Sequence, residues 1–355
     1  MTNGSQRHGT TREAPRDLTD AHTYKPALNG LRAIAVVAVV AGHAWWSVLP
    51  GGGVGVDLFF ALSGYLITGL LLAEVEGTGG VDLPRFWGRR ALRLLPALAL
   101  MLTAVVIYFR PPIMDVVAAA FYFANWRRVG GDNLGPLGPT WSLSVEEQFY
   151  ILWPVIVVLC MYVSRRMQIQ RAAAVAVASI LGCVLSPALR FTLINDPGRV
   201  SQGTDTRLDA LMSGCLLASL IALYGMRVSD WLKPTFPFAA LFLCAALFVG
   251  PFEQPLSYSV VAIASGITVG YFALSPNSLI SRLLSLTPIV WLGIISYGIY
   301  LWHFPVQFFV NDQGVPLKLR LPAVLAITIA IAALSFYFME RPLQRKFRHF
   351  VAKGG

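Results

Sequence analysis

The segment NGLRAIAVVAVVAGHAWW (29–46) is apolar except for an arginine and a histidine, Arg32 and His43. An ionisable side chain inside a lipid-embedded helix costs a few kcal/mol, so each is a functional hypothesis by default. Eleven residues at about 100° per residue bring the two within about 20° of one helix face, about 16 Å apart along the axis. A guanidinium below and an imidazole above would serve as an anion anchor and a proton acceptor. The same spacing fits a snorkelling arginine and an interfacial histidine with an ordinary partner. Spacing alone leaves both readings standing.

The next apolar segment opens PGGGVGVDLFFALSGYLIT (50–68). Its glycines predict a tight turn that returns the chain beside the first segment. Asp57 then falls at the depth of His43, where a carboxylate can fix an imidazole tautomer and stabilise the imidazolium. A carboxylate in a first helical turn is equally well explained by capping and the helix dipole. Ser63 and Tyr65, further in, either line a polar path or serve helix packing.

Arg89, Arg90 and Arg93 crowd the stretch RFWGRRALRLLP (85–96). Guanidiniums pair phosphate oxygens bidentately, so this cluster reads as a phosphate clamp. Anionic lipid headgroups attract the same helix. In PTWSLSVEEQFYILWP (139–154), Ser144 as N-cap and Glu147 three residues on match a capping box. That pattern leaves Glu146 to orient a hydroxyl or support a base. Arg207 and Asp209 in TDTRLDALMSG (204–214) read as substrate contacts or as a local ion pair at a helix entry. His303 in SYGIYLWHFP (296–305) is a second catalytic candidate, or a core histidine bonded to a backbone carbonyl. Glu340 and Arg341 read as an ion pair closing the last apolar segment. The sequence has no Gly-rich nucleotide loop, GxSxG elbow or HExxH. Cys160, Cys183, Cys215 and Cys244 lie in apolar stretches without ligand spacing. They read as small buried hydrophobes, and no metal is expected.

A membrane bundle is the scaffold that positions these groups. Of 355 residues 56% are hydrophobic and 13% charged, with a mean hydropathy of +0.62. Soluble domains carry about a quarter charged residues, so this chain lacks the polar surface to coat a globule in water. Apolar runs long enough to span fall at 27–48, 54–75, 94–109, 144–164, 171–189, 209–226, 234–250, 257–275, 289–310 and 320–340. The fold class is therefore all-α integral membrane, a bundle of about ten transmembrane helices. Residues 82–93 add an amphipathic, basic, interfacial cytoplasmic helix, and 113–126 a short re-entrant or interfacial piece. The polar segment 1–25 lacks an apolar signal region and reads as a disordered cytosolic tail. Residues 26–343 form the transmembrane domain, and 344–355 a second, basic cytosolic tail. With both termini inside, 19 lysines and arginines fall in inner segments and 8 in outer ones, as orientation by loop charge requires. The reading is a multi-pass protein of the inner (plasma) membrane. The net charge of +10 is spread over short loops, which excludes a nucleic-acid partner and leaves membrane lipids.

In order along the chain, the Arg32/His43 pair, GVDLFFALSGYLIT (55–68), FWGRRALRLLP (86–96), TWSLSVEEQFYILWP (140–154), TRLDALMSG (206–214), SYGIYLWHFP (296–305) and FMERPL (338–343) resemble the acyltransferase-3 family of membrane O-acyltransferases. That family includes polysaccharide and macrolide O-acyltransferases. The resemblance implies ten core helices, an acyl-CoA donor approached from the cytoplasm and a hydroxyl acceptor. It also implies that the family's essential arginine and histidine fall on Arg32 and His43, and its RxxR pair on Arg90 and Arg93.

The expected chemistry follows from combining the two readings. Acetyl-CoA or a short-chain acyl-CoA is the co-substrate, its phosphates held by Arg90, Arg93 and Arg89 and its arm passing Arg32. His43, oriented by Asp57 and aided by Glu146, takes the proton from the acceptor hydroxyl. Glu147, Arg207, Asp209 and His303 are acceptor-binding or structural. The chain resembles the stand-alone members without an appended hydrolase-like domain, which points to a macrolide-like small molecule ahead of a cell-surface glycan. Association into a homo-oligomer stays open. The rival readings are a transporter of an anionic solute using Arg32 and His43, and a non-catalytic lipid-binding scaffold.

Overall fold

The structure is a computed structural model that describes residues 25–250 and 254–345. The expected tails at 1–25 and 344–355 lie almost wholly outside these residues. Hydrocarbon offers backbone groups no water, so a chain this apolar closes its N–H and C=O groups within helices. All regular elements among the described residues are helical. Helices α1 (Pro26–Ala44), α2 (Val54–Thr78) and α3 (Leu83–Phe109) lead into two short pieces, α4 (Ile113–Ala120) and α5 (Ala124–Val129). Then come α6 (Thr140–Met167), α7 (Arg171–Thr192), the short α8 (Pro197–Gln202), α9 (Leu208–Tyr224), α10 (Val228–Val249) and α11 (Pro255–Leu274). The chain ends with α12 (Leu279–Leu284), α13 (Thr287–Ile294), α14 (Ser296–Asp312) and α15 (Leu317–Ser335), followed by a π turn over Phe336–Glu340.

Among the described residues, eight helices are long and apolar enough to cross a membrane, nine if α13 and α14, bent by 68°, form one crossing. Leu208–Val249 is one of the eight, yet Gly225 at φ 58° divides it into α9 and α10. Splitting it there recovers the ten expected segments. Many large apolar side chains, among them Leu152, Leu159, Val184, Phe238 and Phe248, point out of the bundle, where hydrocarbon rather than water meets them. Cys244 is also exposed, unlike the buried position expected for it.

Two local readings are corrected. Residues 82–93 are not a separate interfacial helix: they form the first turns of α3, which runs through Pro96 into the bundle. Asp82 caps it by accepting from the Arg85 N–H. Ser144 is not an N-cap either, because α6 begins at Thr140. The Ser144 hydroxyl is buried, donates to the Thr140 carbonyl and accepts from the Ala124 N–H, tying α6 to α5. The α6 N-terminus starts deep in the bundle because the preceding segment dips inward. Leu134 and Leu137 are buried there, and the Pro139 carbonyl accepts from the Ser142 and Tyr300 hydroxyls.

Helices α2 and α9 cross in close backbone contact. A Cβ on Gly64 would lie 1.9 Å from the Leu211 carbonyl oxygen, and one on Gly214 would lie 2.0 Å from that of Ala61. The two backbones touch through reciprocal glycines, the small-residue contact that packs helices where apolar lipid supplies no drive to associate. This crossing fixes α2, with Asp57 and Ser63, against α9, which carries Asp209 and follows Arg207. Gly214→Val should force the pair apart at a cost of about 1–3 kcal/mol or more, read as a lower thermal midpoint in detergent. An unchanged midpoint would show that the crossing has slack.

Candidate functional site

Five elements meet at a cavity within the bundle. Arg32 from α1, Ser63 from α2, Arg90 and Arg93 from α3, Glu146, Glu147 and Tyr150 from α6, and Ser296, Tyr297 and Tyr300 from α14 line it. Arg90 is already committed: its Nη2 and Nε both bond the Glu147 carboxylate, at 2.8 and 3.1 Å, and its guanidinium stacks on the Tyr150 ring. Glu146 accepts from the Ser63 hydroxyl at 2.5 Å. Arg32 donates from Nε to the Ser296 hydroxyl at 3.2 Å. Among the described residues, neither Arg32 nor Arg93 has a carboxylate within 4 Å (compare the six ion pairs that do form). Two guanidiniums therefore face the cavity with N–H groups to spare, an arrangement that receives an anion.

The expected clamp of Arg89, Arg90 and Arg93 is revised accordingly. Arg93 and Arg32 are the free cations, Arg90 is held by Glu147, and Arg89 is exposed outside the cavity. Glu147 is thus an anchor for Arg90 rather than part of a helix cap.

His43 does not line this cavity. It sits at the end of α1, where its Nδ1 lies 3.2 Å from Nε2 of His303 on α14. The other nitrogen of His303, Nδ1, lies 2.5 Å from the Tyr300 carbonyl oxygen. A carbonyl only accepts, so His303 carries its proton on Nδ1 and, when neutral, offers a lone pair at Nε2. His43 must then donate from Nδ1, which leaves its own Nε2 unprotonated. His303 does bond a backbone carbonyl, and it also sets the tautomer of His43. Phe304 packs edge-on against the His43 ring at 4.9 Å, and Gln307 donates to the His43 carbonyl at 2.8 Å. Tyr300 lines the cavity, and its ring lies 5.4 Å from that of His303, so it stands between the free arginines and the histidine pair.

Asp57 does not orient His43. It is buried and accepts from Arg207 Nη2 at 2.6 Å. Arg207 and Asp209 do not pair with each other, since Asp209 bonds Arg190 of α7. Arg190 is fully buried and also donates to the Thr206 and Pro255 carbonyls and to the Ser186 and Ser259 hydroxyls. Two crossed ion pairs thus bolt α2, α7, α9 and α11 together at the His43 end. Helices α2, α7 and α9 contribute Asp57, Arg190 and Asp209, and the uncharged α11 joins through the Pro255 carbonyl and the Ser259 hydroxyl. Glu340 accepts from the Ser335 hydroxyl across the π turn and makes no ion pair with Arg341, whose guanidinium lies over the Tyr337 ring.

Sequence reasoning missed Tyr150, Ser296, Tyr297, Tyr300 and Arg190. Tyr150 lay within the same block as Glu146 and Glu147, one turn further along α6, and helical periodicity alone could have included it. Arg190 gave no such signal, because its partners come from sequence-distant segments.

An all-helical apolar bundle with a guanidinium-lined cavity and, beyond Tyr300, a pair of buried histidines defines a polytopic membrane protein. The chain belongs to the acyltransferase-domain family, which matches residues 25–340. It is 37% identical over 369 residues to YrhL of Bacillus subtilis strain 168, covering 94% of this chain and 57% of that protein. It is 36% identical over 355 residues to the peptidoglycan O-acetyltransferase OatA of Listeria monocytogenes, covering 91% and 56%. It is 34% identical over 352 residues to the O-acetyltransferase OatA of Staphylococcus aureus strain NCTC 8325, covering 91% and 58%. The chain thus spans a little over half the length of these relatives. No solved structure matches it.

Removing one partner of a buried pair strands the other charge, at about 3–5 kcal/mol. Asp209→Ala should therefore lower the thermal midpoint sharply, whereas Arg89→Ala, on an exposed surface, should leave it unchanged. Equal midpoints for the two variants would remove the structural role assigned to Arg190 and Asp209.

Proposed function

We propose that this chain is a membrane O-acetyltransferase that moves an acetyl group from a thioester donor of the acyl-CoA class to a hydroxyl of a cell-wall glycan. Membership of the acyltransferase family supports the reaction class, and the relatives' names support acetyl as the group and a glycan, rather than a macrolide, as the acceptor. The observation that carries the mechanism is the chain Tyr300 carbonyl, His303, His43, which leaves the His43 Nε2 lone pair free.

In this reading the donor's phosphates meet Arg93 and Arg32 in the cavity, and its thioester passes Tyr300 to reach His43. His43 takes the proton from the acceptor hydroxyl as the oxygen attacks the thioester carbonyl. The new ester forms, the C–S bond breaks, and the thiolate leaves and takes up a proton. His303 spreads the charge on the imidazolium and keeps its orientation, the role first given to Asp57. Holding both substrates in one dry site supplies much of the acceleration. The arginine end faces the cytoplasm and the histidine end the outer side of the plasma membrane, as the loop charges favour.

His43→Ala should abolish acetyl transfer while the thermal midpoint and donor binding stay near those of the parent chain. Transfer that survives this substitution would end the assignment of the base. Release of CoA from acetyl-CoA by the purified protein, dependent on an acceptor hydroxyl, separates the enzyme from the transporter and scaffold readings. A solute carrier or a scaffold releases none. Arg93→Ala should raise the donor KM by about tenfold or more, the scale of one lost charged hydrogen bond; an unchanged donor titration would return Arg93 to headgroup binding.

A further inference from the structure

Four arginines around the His43 end are neutralised by carboxylates. Arg127 pairs with Asp115 and Asp132, Arg199 with Asp205, Arg190 with Asp209 and Arg207 with Asp57. Arg128, half-buried on α5, differs. Its one hydrogen bond runs from Nε to the Gln202 side-chain oxygen of α8 at 2.8 Å, and no carboxylate lies within 4 Å of it among the described residues. With Nε held by Gln202, the two Nη nitrogens remain as an end-on fork, the geometry that fits a carboxylate bidentately.

The location of that fork gives it meaning. Arg128 Nη1 and Phe304 Cε1 lie 3.2 and 3.1 Å from the same point beside Gly138, the point a Cβ there would occupy. Phe304 in turn packs on His43. Arg128 is close enough to His43 and to Tyr300 to interact with both electrostatically. The guanidinium therefore lies near His43, toward the end of the bundle opposite to Arg93. Burial without a counter-ion pushes the Arg128 guanidinium below its ordinary value, with the Tyr300 phenol opposing that shift. Such a group gains from any anion that comes to lie beside it.

We propose that Arg128 is a specificity-determining residue that binds a carboxylate on the acceptor and so places a hydroxyl of that acceptor at His43. The substrate class is an anionic glycan, and the cation on the acceptor side is distinct from Arg32 and Arg93 on the donor side. This rests on the transferase reading above and adds the charge of the acceptor to it. Gly138 is part of the device, since a side chain there would fill the space between the fork and Phe304.

The test compares two acceptors that differ only in charge, a cell-wall-type disaccharide with a free carboxylate and the same disaccharide as its primary amide. The parent chain, Arg128→Ala and Arg128→Lys are assayed with acetyl-CoA as donor. The parent should favour the carboxylate form by tenfold or more in kcat/KM, mostly through KM. Arg128→Ala should lose that preference, with kcat/KM on the two acceptors becoming equal, and Arg128→Lys should keep part of it. The ratio between acceptors within one variant does not depend on how much protein folds. Equal use of both acceptors by the parent, or the same preference in Arg128→Ala, would overturn the role of Arg128 and leave the transferase reading intact. No transfer by the parent to either acceptor would overturn both.

Discussion

A carbonyl oxygen has no proton to give, and the Tyr300 carbonyl therefore decides where protons sit on two imidazoles. Its bond to His303 Nδ1 has His303 accept at Nε2 and His43 donate from Nδ1, so the lone pair of a neutral His43 lies on Nε2. A buried acid is not needed for this. In an apolar bundle a backbone acceptor avoids the desolvation that an ionised carboxylate would incur. Asp57 is accordingly free for a different task, and the structure gives it to Arg207.

The charges divide into those that hold the bundle and those that are left open. Crossed pairs involving Arg190, Arg207, Asp57 and Asp209 fasten four helices at one end, and Arg90 with Glu147 fastens α3 to α6. Arg32 and Arg93 at the cavity and Arg128 near His43 have no carboxylate within 4 Å among the described residues. Their distribution has a direction: two face the cavity, one faces the other side of the histidine pair, and Tyr300 lies between.

The sequence displayed the bundle well because length and apolarity of each run are local properties, and all ten expected runs are helical. It showed less of what happens at their ends. The basic stretch 85–93 continues into α3, since nothing before Pro96 stops the helix and Pro96 is accommodated within it. Ser144 matched a capping pattern but lies inside α6, whose true start at Thr140 is set by a loop that dips into the core. Several of the expected site residues have other partners in the structure than spacing suggests. Asp57, Arg207, Asp209 and Glu147 each bond a group from a sequence-distant helix, which spacing within one segment does not encode. His303 was singled out from its place in an apolar run, but its link to His43 spans 260 residues of chain.

The reciprocal contact of Gly64 and Gly214 makes one side of the cavity unyielding. Ser63, next to that contact, sits on main chain already pressed against main chain, so this wall cannot retreat to admit a larger guest. The facing wall is built differently: α3 and α14 present Arg93, Leu94, Tyr297 and Tyr300, long side chains that change shape by rotation. Any widening of the cavity therefore has to come from side chains on that flank, because the α2 flank is held main chain against main chain.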